Sequence, residues 1–166
     1  MFVFILFLVL CLVRRLLVLG PSFRRRCDAG LLLALERFDG LFFRVARKYL
    51  GGVRNVDVVV MTDDLTLVSG NAPLDHREPR GAEWGKLRLP RDILERAKVF
   101  NDKFLEKKLK NGRYSEVFLA MGKQYARALP DLEKYGVKVV FPASGGPGPK
   151  AQALKQWIIG EDSIIR

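Results

Sequence analysis

Residues 113–159 decide the fold, because they contain two strand–glycine–helix units in tandem. The first is Tyr114-Ser115-Glu116-Val117-Phe118-Leu119-Ala120, which runs into Met121-Gly122-Lys123 and a helix. The second is Val137-Lys138-Val139-Val140-Phe141, which runs into Gly145-Gly146-Pro147-Gly148-Pro149-Lys150 and a helix over 151–159. Strands that alternate with helices indicate an α/β domain with a mostly parallel sheet. We therefore expect a ligand site beyond the carboxyl ends of the strands, where both glycine turns fall.

The rest of the chain fits the same architecture. Apolar runs predict strands over 15–19 and 56–61. Helical spacing and end signals predict helices over 29–37, 41–50, 91–110 and 131–135. The sequence thus predicts a single three-layer, Rossmann-like α/β domain over residues 14–166. Its short, mainly parallel sheet has about four strands, and residues 62–89 form a long irregular stretch.

Residues 1–13 form an apolar extension with three interpretations. A membrane helix needs about 20 apolar residues, whereas Arg14-Arg15 interrupts this run early. A signal peptide carries its positive charge before the apolar run rather than after it. The third interpretation is a natural start at Val13, which would leave residues 1–12 outside the natural fold. We expect this mis-started extension first and a short membrane anchor second.

Composition and net charge narrow the classes of partner that the protein is expected to bind. The 166 residues are 49% hydrophobic and 28% charged, which excludes broad disorder, and the formal net charge is +11. A charge of this size favours a polyanion, such as RNA, DNA, a nucleotide or an anionic membrane surface. The alternative is the Lys/Arg-rich surface of a hyperthermophile protein.

Cysteine and histidine usage excludes several classes of site. Cys11 and Cys27 are the only cysteines, so neither a disulfide framework nor a cysteine zinc site is expected, and a reducing cytoplasm is the default. His76 is the only histidine, and no Gly-x-Ser-x-Gly elbow accompanies it. We predict no metal and no cofactor.

Residues with anion-binding chemistry follow three of the predicted strands. Guanidinium groups, lysines and the backbone of glycine turns before helices all suit phosphate. The glycine turn matches neither Gly-x-Gly-x-x-Gly nor the Walker pattern, so nucleotide hydrolysis is not expected. For Ser22 and the neighbouring Arg24, Arg25 and Arg26, the alternative is a basic loop exposed to solvent. The candidates are Ser22, Arg24, Arg25, Arg26, Gly122, Lys123, Gly145, Gly146, Gly148 and Lys150.

Two aromatic and two acidic residues complete the candidate set. Tyr125 and Trp84 are candidates for stacking on a base, with structural packing as the alternative. Asp63 and Asp64, directly after the second strand, are candidate acid/base residues, although adjacent acids in a loop more often serve as turn residues.

Several short motifs resemble a poorly characterised family of archaeal and bacterial domains of unknown function, some of which carry a peroxide-stress label. The family is distantly similar to the uracil-DNA-glycosylase-like domain that accompanies archaeosine synthase and tRNA-guanine transglycosylase. The resemblance covers roughly residues 14–159. It rests on Ser22, Glu36 to Gly40, Phe42 to Val45, Asp64 to Leu67, Trp84, Gly122 to Tyr125, and the last glycine turn with Trp157.

The resemblance implies a pocket lined by six of these residues. Two departures affect what can be carried over from the family: Gly20-Pro21-Ser22 replaces a Ser-Cys-Ser loop, and Asp63-Asp64 replaces a Gly-Leu segment. The implied pocket residues are Ser22, Arg24, Gly122, Tyr125, Gly146 and Gly148.

The sequence thus predicts binding of nucleic acid or a nucleotide-like anion at the carboxyl edge of the sheet. Two alternatives stay open: a small enzyme that acts on a nucleoside or base, and a membrane-tethered interaction protein.

Overall fold

The computed structural model describes residues 13–76, 89–142 and 144–160 of the chain. Residues 1–12, 77–88 (with Trp84), 143 and 161–166 lie outside these ranges, so predictions that fall on them stay predictions. In the described part of the chain, no helix is long and apolar enough to cross a membrane.

Seven strands and five α-helices make up the described ranges. The strands are β1 (Arg14–Leu19), β2 (Leu32–Leu33), β3 (Val56–Met61), β4 (Leu67–Ser69), β5 (Pro73–Leu74), β6 (Tyr114–Ala120) and β7 (Lys138–Val140). The helices are α1 (Ala34–Arg37), α2 (Leu41–Leu50), α3 (Arg91–Leu109), α4 (Lys123–Ala126) and α5 (Pro147–Ile159), with a 3₁₀ turn at Glu133–Tyr135.

The predicted fold class is confirmed. Strands β3, β1, β6 and β7 are parallel neighbours, and β4 adds an antiparallel strand beside β3 in the order β4-β3-β1-β6-β7. Leu16 to Leu19 of the central β1 have no exposed surface, because helices cover both faces of the sheet. One face packs against α1, α2 and α5, and the other packs against α3 and the segment after β6.

The predicted helix over 29–37 is wrong in its first half. Residue Gly30 has a φ of +79°, which interrupts a right-handed helix, and Leu32 pairs with Leu74 in a second, two-stranded sheet. The helix begins only at Ala34. The segment before Ala34 is therefore extended because it pairs with a strand about forty residues away in the chain. No local sequence pattern predicts that pairing.

The last helix is longer than the prediction of 151–159, since it begins at Pro147. Pro147 and Pro149 fit there because the amides of the first helical turn have no intrahelical acceptor, so a missing N–H costs nothing. Gly146 is the N-cap residue, and the φ of +135° at Gly145 is one that glycine adopts readily. The two prolines therefore belong to the first turn of the helix rather than to the loop before it.

Candidate functional site

The chain reverses direction across the sheet between β1 and β6. The connection from β1 leads to β3 on one side, whereas that from β6 leads to β7 on the other. Such a switch point leaves a crevice beyond the carboxyl ends of the two central strands. A pocket of about 260 Å³, termed here the apolar pocket, lies there. Its lining residues are Gly20, Pro21, Ser22, Gly40, Leu41, Phe42, Phe43, Ala120, Met121, Gly122 and Tyr125.

Two glycines allow the walls of the apolar pocket to approach one another. A Cβ atom on Gly20 would lie 2.6 Å from the Cβ of Met121, and one on Gly40 would lie 2.6 Å from the Oγ of Ser22. Both distances are far shorter than any normal contact between such atoms. The ends of β1 and β6, and the start of α2, can therefore meet only because these positions lack a side chain.

The amino end of α2 faces the apolar pocket with its first turn. The first helical hydrogen bond runs from the amide of Arg44 to the carbonyl of Gly40, at 3.1 Å, so the amides of residues 41–43 precede the helical ladder. The N-cap residue Gly40 has no side chain to bond them, and the first turn contains no acidic residue. This end of the helix therefore presents N–H donors and the positive pole of the helix dipole.

The carboxylate next to Gly40 in the chain forms ion pairs of its own. Asp39 directly precedes Gly40, and its two oxygens accept hydrogen bonds from Arg44 at 2.8 Å and Arg47 at 2.6 Å. The hydrogen bond from Arg44, with that from Arg47, lowers the pKa of Asp39. Because Asp39 is held in these ion pairs, it does not bond the amides at the start of α2.

Three of the predicted site residues meet in the apolar pocket. Ser22 lies at its β1 side and donates a hydrogen bond to the carbonyl of Arg24 at 3.2 Å. Gly122 and Tyr125 form its β6 side, where the amide of Tyr125 bonds the carbonyl of Gly122 at 3.0 Å. Lys123 follows Gly122 and is exposed.

The three arginines of the segment between β1 and β2 (residues 20–31), termed here the first loop, lie apart from one another. Arg24 is exposed, while its carbonyl accepts a hydrogen bond from the amide of Asp39 at 2.8 Å. Arg25 is 8% exposed in its side chain and forms an ion pair with Asp63. Arg26 pairs with Asp28 at 3.0 Å and with Glu36 at 3.2 Å. Of these three, Arg24 is therefore the one with an exposed side chain for which no ion pair is found among the described residues.

A second cavity of about 370 Å³, termed here the acidic cavity, lies on the β3 side of the same edge. Asp63, Asp64 and Asp75 contribute to its wall, together with Arg25 and Phe38. Phe38 also packs against Phe43 of the apolar pocket, with ring centroids 5.2 Å apart. The first loop thus contributes Ser22 to the wall of one cavity and Arg25 to the wall of the other.

A buried amide supports the turn that carries Asp63 and Asp64. The side chain of Asn101, fully buried in α3, accepts a hydrogen bond from the amide of Leu67 and donates to the carbonyl of Leu65, both at 2.8 Å. Leu65 itself has a φ of +62°, which is unusual for a residue with a branched side chain. The contact across the interior holds this turn in a conformation that its own sequence disfavours.

The last glycine turn lies apart from both cavities. Gly145, Gly146 and Gly148 are exposed at the start of α5, and Lys150 is half-buried in its first turn. Neither cavity contains any of these four among its described lining residues. They follow β7 at the carboxyl edge, but the structure does not bring them together with Ser22 and Tyr125.

Sequence reasoning missed the contribution of α2. The sequence predicts a helix over 41–50, but it assigns neither Gly40 nor Leu41, Phe42 and Phe43 to the site. A detectable signal exists in the sequence, because a helix that begins after glycine and contains no acid in its first turn leaves its N-terminal amides uncapped.

Comparisons of the chain with protein-family models, with curated proteins and with solved structures find no match. The resemblance to the uncharacterised family therefore stays a prediction that rests on the motifs.

Proposed function

We propose that the protein binds a nucleotide unit, either free or within nucleic acid, at the carboxyl edge of the sheet. The observation that supports this proposal is the composition of the apolar pocket. Aromatic and aliphatic side chains line most of it, while one end of the wall is the uncapped start of α2. An aromatic base can pack against the apolar side chains, and a phosphate can accept hydrogen bonds from the amides at the start of α2.

Size and charge support the same ligand class. The volume of about 260 Å³ lies just under the usual range of about 300–1,000 Å³ for ligand pockets, which suits one base rather than an extended ligand. Exposed Arg24 lies two residues after the lining residue Ser22, and exposed Lys123 directly follows the lining residue Gly122. The net charge of +11 favours a polyanion overall.

The amides of α2 can be tested at a single position. Leu41 is the first helical residue, where proline is tolerated, and Gly40 already has the extended backbone that precedes proline. Leu41→Pro removes one donor and the side chain, whereas the matched control Leu41→Ala removes only the side chain. Binding of a fluorescent nucleotide and of a mixed-sequence oligonucleotide is measured for both variants in a salt series.

We expect Leu41→Pro to bind about tenfold more weakly than Leu41→Ala, because a hydrogen bond to a charged group contributes about 1.5–3 kcal/mol. Equal affinity of the two variants would contradict a role for the α2 amides. Weak binding that disappears by physiological salt in the unaltered protein would reduce the charge of +11 to a property of the surface.

The acidic cavity supports a second candidate, a small enzyme that acts on a nucleoside or base. The cavity adjoins the apolar pocket, and Asp64 adds an exposed carboxylate to its wall. Under this proposal, Asp64 is the acid/base residue. Asp64→Asn would abolish turnover of nucleosides, followed by chromatography, without weakening their binding, and Asp75→Asn from the same cavity is the control. A loss of binding rather than turnover in Asp64→Asn would contradict the enzymatic role.

A further inference from the structure

Large apolar side chains are exposed at the carboxyl edge of the sheet, where the apolar pocket lies. Phe23, which follows the lining residue Ser22, has 40% of its surface exposed. Phe141 follows β7 and has 48% exposed. The register pairs Phe118 with Val140, so Phe141 is level with Leu119, one residue before the lining residue Ala120. Phe23 and Phe141 thus belong to the loops that follow two different strands at the carboxyl edge.

Two exposed cations belong to the same edge of the sheet as these rings. Arg24 follows Phe23 directly, and Lys123 begins α4 beside the lining residue Gly122. Surfaces that alternate exposed aromatic rings with cations are typical of proteins that bind single strands, because bases stack on the rings while cations follow the phosphates. Each such stacked base contributes about 1–3 kcal/mol.

We propose that the preferred ligand is single-stranded nucleic acid, with one base in the apolar pocket and neighbouring bases stacked on Phe23 and Phe141. This inference rests on the proposed function and specifies the form of its ligand. In a duplex the faces of the bases are hidden in the stack, so the rings would meet only sugar and phosphate. A single strand exposes those faces.

The test compares single and double strands of one sequence. Fluorescence anisotropy is measured with the full chain and a labelled oligonucleotide of about 12 nucleotides, within the length that one small domain covers. The oligonucleotide is used alone and annealed to its complement, as DNA and as RNA. We expect the single strand of at least one of the two to bind about tenfold or more tightly than its duplex.

Substitution of the rings sharpens the test. Phe23→Ala and Phe141→Ala are each expected to weaken single-strand binding about fivefold or more, which corresponds to the lower limit for one stacked base, while duplex binding is unchanged. Phe23→Leu retains an apolar side chain without the aromatic face and is expected to weaken binding as well. The matched control is Phe100→Ala, which is 50% exposed on α3, the helix that covers the face of the sheet opposite to α2, and we expect it to bind normally.

The outcomes separate this inference from the proposed function. Equal affinity for single strand and duplex, with Leu41→Pro still impaired, would overturn the single-strand preference and leave nucleotide binding in place. A single-strand preference that both alanine variants retain would overturn the stacking role of the rings. Absence of binding to every oligonucleotide and nucleotide would overturn both proposals.

Discussion

At the amino edge of the sheet, Asp57 accepts hydrogen bonds from Arg14 and Tyr114, whereas at the carboxyl edge the amides of α2 begin a helix that no side chain caps. Arg14 bonds both oxygens of Asp57, with a distance of 2.8 Å from its Nε to Oδ2. Chiefly this bond, assisted by that from Tyr114, holds the pKa of Asp57 below its usual value. Burial, and then the bond to Asp57, raises the pKa of Tyr114.

The same contrast holds for the helix ends. At the amino edge, Arg15 donates hydrogen bonds to the last carbonyls of α5, including that of Ile158 at 3.1 Å, and its guanidinium lies 4.7 Å from the ring of Trp157. A cation there satisfies carbonyl groups that the helix leaves open. Among the residues that the structure describes, no side chain caps the start of α2. The comparison teaches that the polar groups of the amino edge serve stability, whereas at the carboxyl edge the uncapped start of α2 faces a pocket.

The largest expected effect concerns Arg37, a buried residue whose guanidinium group bonds backbone carbonyls of the first loop and of β5. Arg37 is 1% exposed and donates hydrogen bonds to the carbonyls of Arg26 and Asp28, both at 2.9 Å, and to those of Gly30 and Leu74. Arg37→Leu leaves these carbonyls without their donor, so we expect the free energy of unfolding to fall by about 3–5 kcal/mol. Urea denaturation measures it. A loss under about 1 kcal/mol would show that the first loop is held by other contacts.

The next effect sharpens the role of the amino edge. Asp57→Asn removes the charge that Arg14 and Tyr114 share, and we expect it to lower the free energy of unfolding by about 2 kcal/mol at neutral pH. Affinity for oligonucleotides should stay within about twofold, because the ion pair and the apolar pocket lie at opposite ends of the strands. A large loss of affinity without a loss of stability would show instead that Asp57 contributes to binding rather than to stability.

The pH dependence of that effect has a defined sign. The pKa of Asp57 is lower in the folded protein than the ordinary value of about 3.9, so the unfolded chain binds the proton more readily. The stabilisation is therefore complete above about pH 5 and is lost as the pH falls through the folded pKa. The difference in unfolding free energy between the protein and Asp57→Asn should shrink below about pH 4, as a series of urea denaturations would measure. A difference that grows toward low pH would contradict the ion pair.

A third prediction gives stability and affinity opposite signs. Leu41→Glu places a carboxylate in the first turn of α2, where it interacts favourably with the helix dipole and is expected to raise the free energy of unfolding by about 0.3–1 kcal/mol. The same charge competes with a phosphate, so affinity for oligonucleotides should fall about tenfold, a change of about 1.4 kcal/mol. Leu41→Gln, which is isosteric but uncharged, is the control. A fall in both quantities would indicate general damage to the helix.

The smallest expected effect separates the cations near the pocket from those elsewhere. Lys123→Gln should reduce the salt dependence of oligonucleotide binding by about one counterion, because Lys123 lies beside the pocket. Lys107→Gln, an exposed position near the end of α3, should leave the salt dependence unchanged. Equal reductions in both variants would favour a diffuse electrostatic surface over a localised site.

Sequence patterns predicted the interior elements well and the edges less well. The ranges of α2, β3 and β6 agree with prediction, since each is an apolar or amphipathic run between glycine or turn signals. The start of α5 and the first half of the predicted helix over 29–37 differ. The first depends on how proline behaves in the first turn of a helix, and the second depends on pairing with a distant strand.

The candidate site shows a similar division. Ser22, Gly122 and Tyr125 were predicted and do meet in one pocket. The sequence could not show which arginine of the first loop forms a buried ion pair and which is exposed, because adjacent arginines have the same chemistry. Arg25 pairs with Asp63, 38 positions along the chain, while its neighbour Arg24 is exposed.

By itself, the sequence determined the alternation of strands and helices, the net charge of +11 and the edge of the sheet at which a site is expected. These follow from local periodicity and composition, which need no knowledge of distant contacts. Only the tertiary structure decided that Gly20 and Gly40 bring the ends of β1, β6 and α2 together, and that Arg25 is taken up by Asp63. Those outcomes depend on which strands become neighbours, and the order β4-β3-β1-β6-β7 is set by packing over the whole chain.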